Sequence, residues 1–191
     1  MAEGLVVDRA RTALVVIDLQ KGIASDGSMR PYSSREVVGN AARLVDVFRE
    51  AGMPVFLVHI ELPREIALQP SSDLPPLDPI PTPPGFSDFV PELTPVPSDV
   101  VITKRQWGAF QGTELDTQLR RRGVRTIVLC GIATNFGVES TARAAYELGY
   151  EQLFAEDAMT ASSAEEHQAS LKVLRHMGRV RTTDEIASAV E

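Results

Sequence analysis

An aspartate and a lysine each stand where a short apolar run of the chain ends. Asp18 follows residues 13–17, and Lys104 comes shortly after residues 100–102. Such runs are typical of buried parallel strands, whose carboxyl ends form the ligand-binding edge of an open α/β sheet. A carboxyl group partly desolvated there can have its pKa raised enough to act as an acid or a base, and an ammonium group can stabilise negative charge. The two side chains therefore predict a catalytic pair.

Each of these residues also has an ordinary structural interpretation. Asp18 could simply cap the turn after its strand, and Lys104 could be a solvated surface group. The aromatic residues Trp107 and Phe110 follow Lys104 closely and favour the wall of a small-ligand pocket. They could equally pack in the core or at a subunit interface. The four residues support one site at the sheet edge and leave these alternatives open.

A third segment, which begins at Gly131, has the composition of a turn from a strand into a helix. It follows the apolar run 126–129 and contains Ala133, Phe136 and Gly137. Free backbone amides at such a turn could bind an anion or a developing oxyanion, and a glycine lets a substrate approach the backbone. Folding alone can also require glycines at a turn, so this segment is weak evidence when taken by itself.

Strand-like runs alternate with amphipathic helical patterns along most of the chain. The strands are predicted at residues 13–17, 55–58, 100–102, 126–129, 152–155 and 179–181. Helices are predicted to start at the polar cap candidates Ser33, Ser34, Thr113, Ser163 and Thr182. The alternation predicts an α/β fold with a doubly wound, mostly parallel sheet and helices on both faces, in a Rossmann-like three-layer arrangement.

Residues 61–97 interrupt this alternation and hold eleven of the thirteen prolines. A stretch this long without secondary structure is a lid, an oligomer arm or a disordered excursion. Elsewhere the pattern is uniform, and 191 residues of which 43% are hydrophobic suit one globular domain. We therefore expect a single domain over residues 1–191 with a proline-rich loop at 61–97.

The composition disfavours several classes of function. A formal net charge of -7 opposes the phosphate contacts that nucleic-acid binding requires. Cys130 is the only cysteine, which excludes an intramolecular disulfide and fits a reducing compartment. The first residues lack the pattern of a signal peptide, and no segment approaches the ~20 apolar residues of a membrane span. We expect a cytoplasmic protein that acts on a small molecule and binds neither nucleic acid nor membrane.

Taken together, the three segments resemble the isochorismatase-like superfamily of cysteine hydrolases, which includes isochorismatases and nicotinamidases. The resemblance spans nearly the whole chain and rests on residues 18–20, 103–110 and 131–143 in that order and spacing. It is closest to uncharacterised bacterial isochorismatase-family hydrolases that share residues 104–110 and also carry glycine at the nucleophile position. The resemblance implies that Asp18, Lys104 and Gly137 occupy the catalytic positions, with Gly137 in place of the family's nucleophilic cysteine.

The resemblance also implies the surroundings of the site. Substrate-binding and oxyanion roles fall on Gln20, Trp107, Phe110, Ala133 and Phe136. A cis peptide bond would join Ile132 to Ala133, and the protein would form a homo-oligomer. The chain lacks the Asp-x-His pattern through which some nicotinamidases bind a metal, so we expect no metal and no cofactor.

Without a thiol at Gly137, the acyl-enzyme chemistry of the family is not available at that position, and Cys130 lies in a predicted buried strand. Hydrolysis of a vinyl ether needs no nucleophilic side chain: Asp18 would donate the proton, while Lys104 would hold a substrate carboxylate or modulate Asp18. We therefore expect a hydrolase that acts on a small carboxylate-bearing metabolite by acid catalysis. A catalytically silent protein that binds a small molecule or a protein is the main alternative, followed by an unrecognised nucleophile or reaction. Nicotinamidase-type amide hydrolysis is the least favoured.

Overall fold

Six parallel strands form one sheet at the centre of the structure. The computed structural model describes residues 5–25, 27–61, 71, 73 and 83–190. The strands are β1 (Thr12–Ile17), β2 (Val55–Ile60), β3 (Val100–Lys104), β4 (Thr126–Ile132), β5 (Glu151–Thr160) and β6 (Arg179–Arg181). Their order in the sheet is β3-β2-β1-β4-β5-β6. The strand order reverses between β1 and β4, so the carboxyl ends of these two strands flank the point where open α/β sheets bind ligands.

Helices connect the strands and cover the sheet. They are α1 (Lys21–Ala24), α2 (Ser34–Glu50), α3 (Leu115–Arg121), α4 (Glu139–Glu147), α5 (Ala164–Leu174) and α6 (Thr183–Val190), with a 3-10 turn at Pro91–Leu93 and a π-helical turn at Thr134–Val138. Helix α2 packs against α6, and α4 packs against α5. The arrangement confirms the predicted three-layer α/β fold. In the described part of the chain, no helix is both long enough and apolar enough to cross a membrane.

The local sequence explains why the central elements form where they do. All six residues of β1 are buried, as expected for a strand covered on both faces. Helix α2 begins with a capping box, in which the Ser33 side chain accepts from the Glu36 amide and the Glu36 carboxylate accepts from the Ser33 amide. Just beyond its end, Gly52 adopts a φ of 67°, a conformation that favours glycine. The predicted caps and strand cores are thus confirmed for these elements.

The pairing of β4 with its neighbours is less regular than the apolar runs indicate. The register between β4 and β5 shifts between Leu129 and Gly131, and β5 extends to Thr160, well beyond its predicted end. Gly131 has a φ of 124°, and a Cβ atom there would lie 2.0 Å from the carbonyl oxygen of Ile17. Only glycine therefore allows β4 to approach β1 this closely before the chain turns into the π-helical turn.

Much of the proline-rich loop predicted at 61–97 lies outside the described residues, so a lid or oligomer-arm role remains a prediction. Residues 83–97 are described, and residues 86–90 pack against the segment that follows β1. Phe89 forms an antiparallel bridge with Gln20, and the Lys21 amide donates to the carbonyl oxygen of Asp88. A Cβ atom at Gly22 would lie 2.0 Å from the ring of Phe86. This end of the loop is therefore fixed close to the carboxyl end of β1.

Candidate active site

Asp18 and Lys104 form a buried ion pair at the carboxyl edge of the sheet. The Lys104 Nζ atom lies 2.7 Å from Asp18 Oδ2, and the exposed fractions of the two side chains are 1% and 6%. Asp18 directly follows β1, and Lys104 is the last residue of β3, so the pair reaches across β2. Asp18 has a φ of 55° and is the one described residue other than glycine with a positive φ. Backbone strain of this kind is concentrated at functional sites.

Two opposing effects, burial and the neighbouring positive charge, set the pKa of Asp18. Burial raises the pKa of Asp18 to about 6, although the charge of Lys104, its hydrogen bond and the nearby His59 all lower it. Asp18 Oδ2 is paired with Lys104, whereas the buried Oδ1 atom has no hydrogen-bond partner among the described residues. The carboxyl group can therefore hold a proton at a pH not far below neutral, and its Oδ1 atom is left free of protein hydrogen bonds among the described residues.

The Lys104 ammonium group is fully engaged by the protein. Besides Asp18 Oδ2, Nζ donates to the carbonyl oxygens of Gln106 at 3.0 Å and of Trp107 at 2.9 Å. An ammonium group has three protons to donate, and three acceptors are present. Of the two roles predicted for Lys104, this geometry supports modulation of Asp18 and leaves no donor for a substrate carboxylate. It also shows that Lys104 holds the loop after β3.

Gly137 lies beside this pair, on the π-helical turn that follows β4. The peptide bond between Ile132 and Ala133 is cis, as the resemblance implied. A Cβ atom at Gly137 would lie 2.9 Å from Ile17 Cγ2, 3.1 Å from Asp18 Oδ2 and 3.6 Å from the Trp107 carbonyl oxygen. The three positions predicted to be catalytic are thus brought together in the structure.

Two of the three predicted aromatic residues form an exposed pair beside Gly137. Trp107 is 62% exposed and Phe136 is 41% exposed, and their rings meet edge to face with centroids 5.0 Å apart. Phe110 belongs instead to the hydrophobic core, where its ring lies 5.7 Å from that of Tyr150. The packing alternative therefore fits Phe110, while Trp107 and Phe136 are accessible to a ligand.

Gln20 and Ala133 have structural contacts that sequence reasoning did not foresee. Gln20 is fully buried; its Nε2 atom donates to the carbonyl oxygens of Ile60 and Phe86, and its Oε1 atom accepts from the Ile60 amide. Its amide group therefore ties the end of β2 to the segment around Phe86. The Ala133 carbonyl oxygen accepts from the amides of Phe136 and Val138, which closes the π-helical turn. A role for the Ala133 amide in binding an oxyanion remains a prediction.

Two buried residues that support the site were not singled out from the sequence. The Thr141 hydroxyl donates to the Gly137 carbonyl oxygen at 2.7 Å and accepts from the Ala109 amide at 3.0 Å. His167 Nδ1, on α5, lies 2.9 Å from Thr134 Oγ1 at the start of the π-helical turn. Thr141 could have been identified from the sequence, because it lies four residues after Gly137 and threonines in helices often donate to the carbonyl oxygen one turn earlier. His167 has no comparable local signal.

His59 and Cys130 also carry metal-binding or nucleophilic chemistry, but His59 is engaged by hydrogen bonds and Cys130 is buried. His59 Nδ1 lies 2.8 Å from the Ser87 carbonyl oxygen, and its Nε2 lies 2.8 Å from Thr103 Oγ1. Over residues 5–25, 27–61 and 83–190, no group of three or more His, Cys, Asp or Glu side chains is placed to hold a metal ion. Cys130 is fully buried, and burial raises its pKa to about 12.

Comparison with known proteins agrees with this arrangement. The isochorismatase domain family matches residues 12–185. An uncharacterised isochorismatase family protein of Bacillus subtilis is 47% identical over the full length of both chains. The structure of an isochorismatase family protein from Burkholderia thailandensis superposes with a TM-score of 0.90 at 43% identity, covering 97% of each chain. A ureidoacrylate amidohydrolase of Azorhizobium caulinodans is 31% identical over 82% of this chain and 79% of its own length. The protein is therefore a hydrolase of the isochorismatase family.

Proposed function

We propose that the protein hydrolyses a small, carboxylate-bearing metabolite by acid catalysis from Asp18, with no cysteine nucleophile, and that vinyl-ether hydrolysis is its reaction. The observation that carries the proposal is the state of Asp18: a buried carboxyl group with a pKa raised to about 6 and one oxygen atom without a partner among the described residues. A general acid needs a pKa close to the working pH, and this group meets that requirement.

In the proposed reaction, protonated Asp18 donates its proton to the terminal carbon of the vinyl ether. The electron pair of the carbon–carbon double bond forms the new C–H bond and leaves an oxocarbenium ion. Water adds to the cationic carbon and returns a proton to the Asp18 carboxylate. In the resulting hemiketal the bond from carbon to the former ether oxygen breaks, the hydroxyl oxygen forms the ketone, and the hydroxyl proton passes to the departing oxygen to give the alcohol. Lys104, 2.7 Å away, stabilises the carboxylate in the interval when it is ionised.

Glycine at position 137 is compatible with this chemistry. A side chain there would start 3.1 Å from Asp18 Oδ2 and would press on the carboxyl group that donates the proton. Without one, the backbone of the π-helical turn lies directly beside Asp18. In the proposed function Gly137 thus keeps the acid accessible to the substrate.

The remaining site residues suggest how a substrate would be held. Because the Lys104 ammonium has no donor left, a substrate carboxylate would need other donors, and the backbone amides at the turn that starts at Ala133 are the ones we propose. The exposed pair of Trp107 and Phe136 would contact an unsaturated or ring-shaped portion of the substrate.

Amide hydrolysis is the competing enzymatic reaction, because the relative from Azorhizobium caulinodans is named a ureidoacrylate amidohydrolase. In this family that reaction needs a thiolate to form an acyl-enzyme. Gly137 offers no side chain, and the buried Cys130 thiol, with a pKa raised to about 12, is a poor source of a thiolate. These observations favour acid catalysis.

We also propose that the protein works in the cytoplasm as a homo-oligomer and has no nucleic-acid or membrane partner. The single buried, free cysteine suits a reducing compartment. The oligomeric state can be measured directly, because the mass of the particle in solution would be a multiple of 20.8 kDa.

The proposed function is tested by isochorismate turnover in the wild-type protein and in Asp18→Asn, which keeps the shape of the side chain and removes the acid. Asp184→Asn is the control, since Asp184 is an exposed residue on α6. We expect turnover by the wild type and the control, and a loss of at least about 100-fold in Asp18→Asn.

Equal turnover by Asp18→Asn would contradict acid catalysis by this residue. No turnover by any of the three proteins would remove isochorismate as the substrate. The search would then move to other small carboxylate-bearing vinyl ethers, or to a purely binding role.

A further inference from the structure

The Thr141 hydroxyl joins the two segments that form the exposed aromatic pair. It donates to the carbonyl oxygen of Gly137 on the π-helical turn and accepts from the amide of Ala109 on the loop after β3. Thr141 is fully buried on α4, and so is Ala109. One hydroxyl group therefore uses both its donor and its acceptor capacity to connect two backbone segments that are distant in sequence.

The two segments carry the residues on which substrate access depends. The π-helical turn carries Phe136 and Gly137, and the loop carries Trp107. Lys104 holds the loop at its beginning, through the carbonyl oxygens of Gln106 and Trp107. Thr141 holds it two residues later, at Ala109. The loop is thus tied to the acid at one point and to the π-helical turn at another.

The close packing of the loop on α4 agrees with this arrangement. A Cβ atom at Gly108 would lie 3.6 Å from the carbonyl oxygen of Ser140, the residue before Thr141. The loop therefore lies directly on the first turn of α4. If the Thr141 hydrogen bonds change, the loop or the π-helical turn has to move, because both are bonded to this hydroxyl.

We propose that Thr141 is a positioning residue that fixes the separation of Trp107 and Phe136, and with it the place of the Gly137 backbone beside Asp18. Thr141 acts through these neighbours and touches no reacting atom in the proposed reaction. Its effect on turnover rests on the proposed function, whereas its effect on the aromatic pair does not.

The test uses Thr141→Val, which keeps the shape of the side chain and removes the hydroxyl group, and Thr141→Ser, which keeps the hydroxyl. Thr12→Val is the matched control, because Thr12 is a buried threonine at the start of β1 whose Oγ1 atom has no hydrogen-bond partner among the described residues. Trp107 is the only tryptophan of the chain, so its fluorescence reports the aromatic pair alone.

In Thr141→Val the Ala109 amide loses its acceptor, and the loop shifts to satisfy it. We expect the emission of Trp107 to move and its quenching by acrylamide to increase, with wild-type behaviour in Thr141→Ser and Thr12→Val. If the proposed function holds, kcat/KM for isochorismate falls roughly 10- to 100-fold in Thr141→Val and recovers in Thr141→Ser. Wild-type Trp107 fluorescence in a folded Thr141→Val protein would overturn the proposal, whatever the turnover.

A second measurement keeps the proposal testable if Thr141→Val does not fold. Hydrogen exchange at the Ala109 amide, followed in the wild type and in Thr141→Ser, reports the bond to Thr141 without removing it. We expect this loop amide to exchange as slowly as the amides of β1 and β4. Rapid exchange of the Ala109 amide in the wild type would show that the hydroxyl does not hold the loop, and would overturn the proposal.

Discussion

At the scale of single residues, the chemistry depends on how Asp18 keeps its pKa close to neutral pH beside an ammonium group. The charge of Lys104 lowers the pKa of Asp18, and burial raises it by more, to about 6. If burial were weaker, the pKa of Asp18 would fall further below neutral pH, and the protonated fraction that can donate would shrink. If Lys104 were absent, the carboxylate formed after donation would be buried without a counter-charge. The two effects together make a carboxyl group that can both lose and regain its proton.

The first prediction concerns pH. Because the reaction needs protonated Asp18, kcat/KM should be constant below pH about 6 and fall tenfold for each unit above it. Lys104→Met removes the charge that lowers the pKa of Asp18, so the inflection should move to higher pH. The measurement is the pH profile of kcat/KM for both proteins. An inflection that stays in place in Lys104→Met would show that another group controls the rate.

The second prediction concerns Gly137→Ala. The added methyl group would lie 2.9 Å from Ile17 Cγ2 and 3.1 Å from Asp18 Oδ2, so neighbours must shift. Overpacking of this kind typically costs about 1–3 kcal/mol in the free energy of unfolding, and we expect kcat/KM to fall with it. Gly39→Ala on α2 is the control, because no atom of the described residues outside the backbone of its own helix lies within 4 Å of the added atom. It should be neutral or stabilise by up to ~1 kcal/mol. Equal effects of the two substitutions would argue against crowding at Gly137.

At the scale of elements, the π-helical turn Thr134–Val138 is fixed from two sides. Thr141 on α4 donates to the Gly137 carbonyl oxygen of this turn, and His167 on α5 contacts Thr134 at the start of the turn. Ser170 on α5 adds contacts to the Thr134 carbonyl oxygen at 3.2 Å and to Glu139 Oε2 at 2.5 Å. Helix α5 therefore supports the site although none of its residues reaches Asp18 or Lys104 in the described contacts.

The third prediction follows from the burial of His167, which is 1% exposed. Burial lowers the pKa of His167, so the unfolded chain binds a proton at this residue before the folded protein does. The resulting stability is present above the unfolded pKa, about 6.5, and is lost as the pH falls below it towards the folded pKa. In His167→Asn, which can still hydrogen-bond Thr134, the free energy of unfolding should fall less between pH about 7 and about 5 than in the wild type.

Urea unfolding at the two pH values measures this difference. His176→Asn is the control, since it makes the same substitution at an exposed histidine. A wild-type pH dependence in His167→Asn would mean that the buried histidine does not contribute to acid sensitivity.

All six predicted runs became strands. The inner strands β1, β2 and β4 were predictable because burial on both faces makes each of them a nearly continuous apolar run, whereas the edge strands β3 and β6 are partly exposed. Their extensions were not predictable from the runs. Residues 156 and 157, a glutamate and an aspartate, lie within β5 because its register with β4 shifts and because the Thr183 amide and hydroxyl donate to Asp157 Oδ1. The π-helical turn depends on the backbone path from Gly131 to Ala133. The pattern of apolar residues does not predict this path, so the turn could not be predicted.

The same reasoning explains which site residues could be identified. Asp18 directly follows β1 and Lys104 is the last residue of β3, so parallel strand topology brings these two to one edge of the sheet. The position of Gly137, on the turn after β4, was implied by the family resemblance. The partners of Gln20 and Phe110 are distant in sequence, at Ile60 and Tyr150. Composition cannot show that such contacts already occupy a side chain, and their structural roles appear only in three dimensions.

At the scale of the whole molecule, the chain offers a single thiol, and it lies in the middle of the sheet. Cys130 on β4 is 0% exposed, and burial raises its pKa to about 12. The fourth prediction is that a thiol-specific disulfide reagent does not label the native protein and leaves turnover unchanged, but labels one thiol per chain in denaturant. Gly137→Cys provides the comparison, since its Cβ atom would lie 3.1 Å from Asp18 Oδ2 at the carboxyl edge of the sheet, and we expect its thiol to be labelled in the native state. Native labelling of the wild type with loss of turnover would instead assign a role to Cys130.

The reversal of strand order between β1 and β4 divides the sheet into two halves whose strands pair along one seam. Thr12–Ile17 pairs with residues 126–131 over six positions there. The first half supplies the acid, its ammonium partner and the tryptophan, whereas the second supplies Gly137 and the threonine that binds Ala109 across the seam. Neither half holds a complete site. The chain can be divided into two co-expressed fragments at the exposed turn at Gly123. These fragments would regain turnover only if β1 and β4 pair again. Turnover would then report that the two halves have docked.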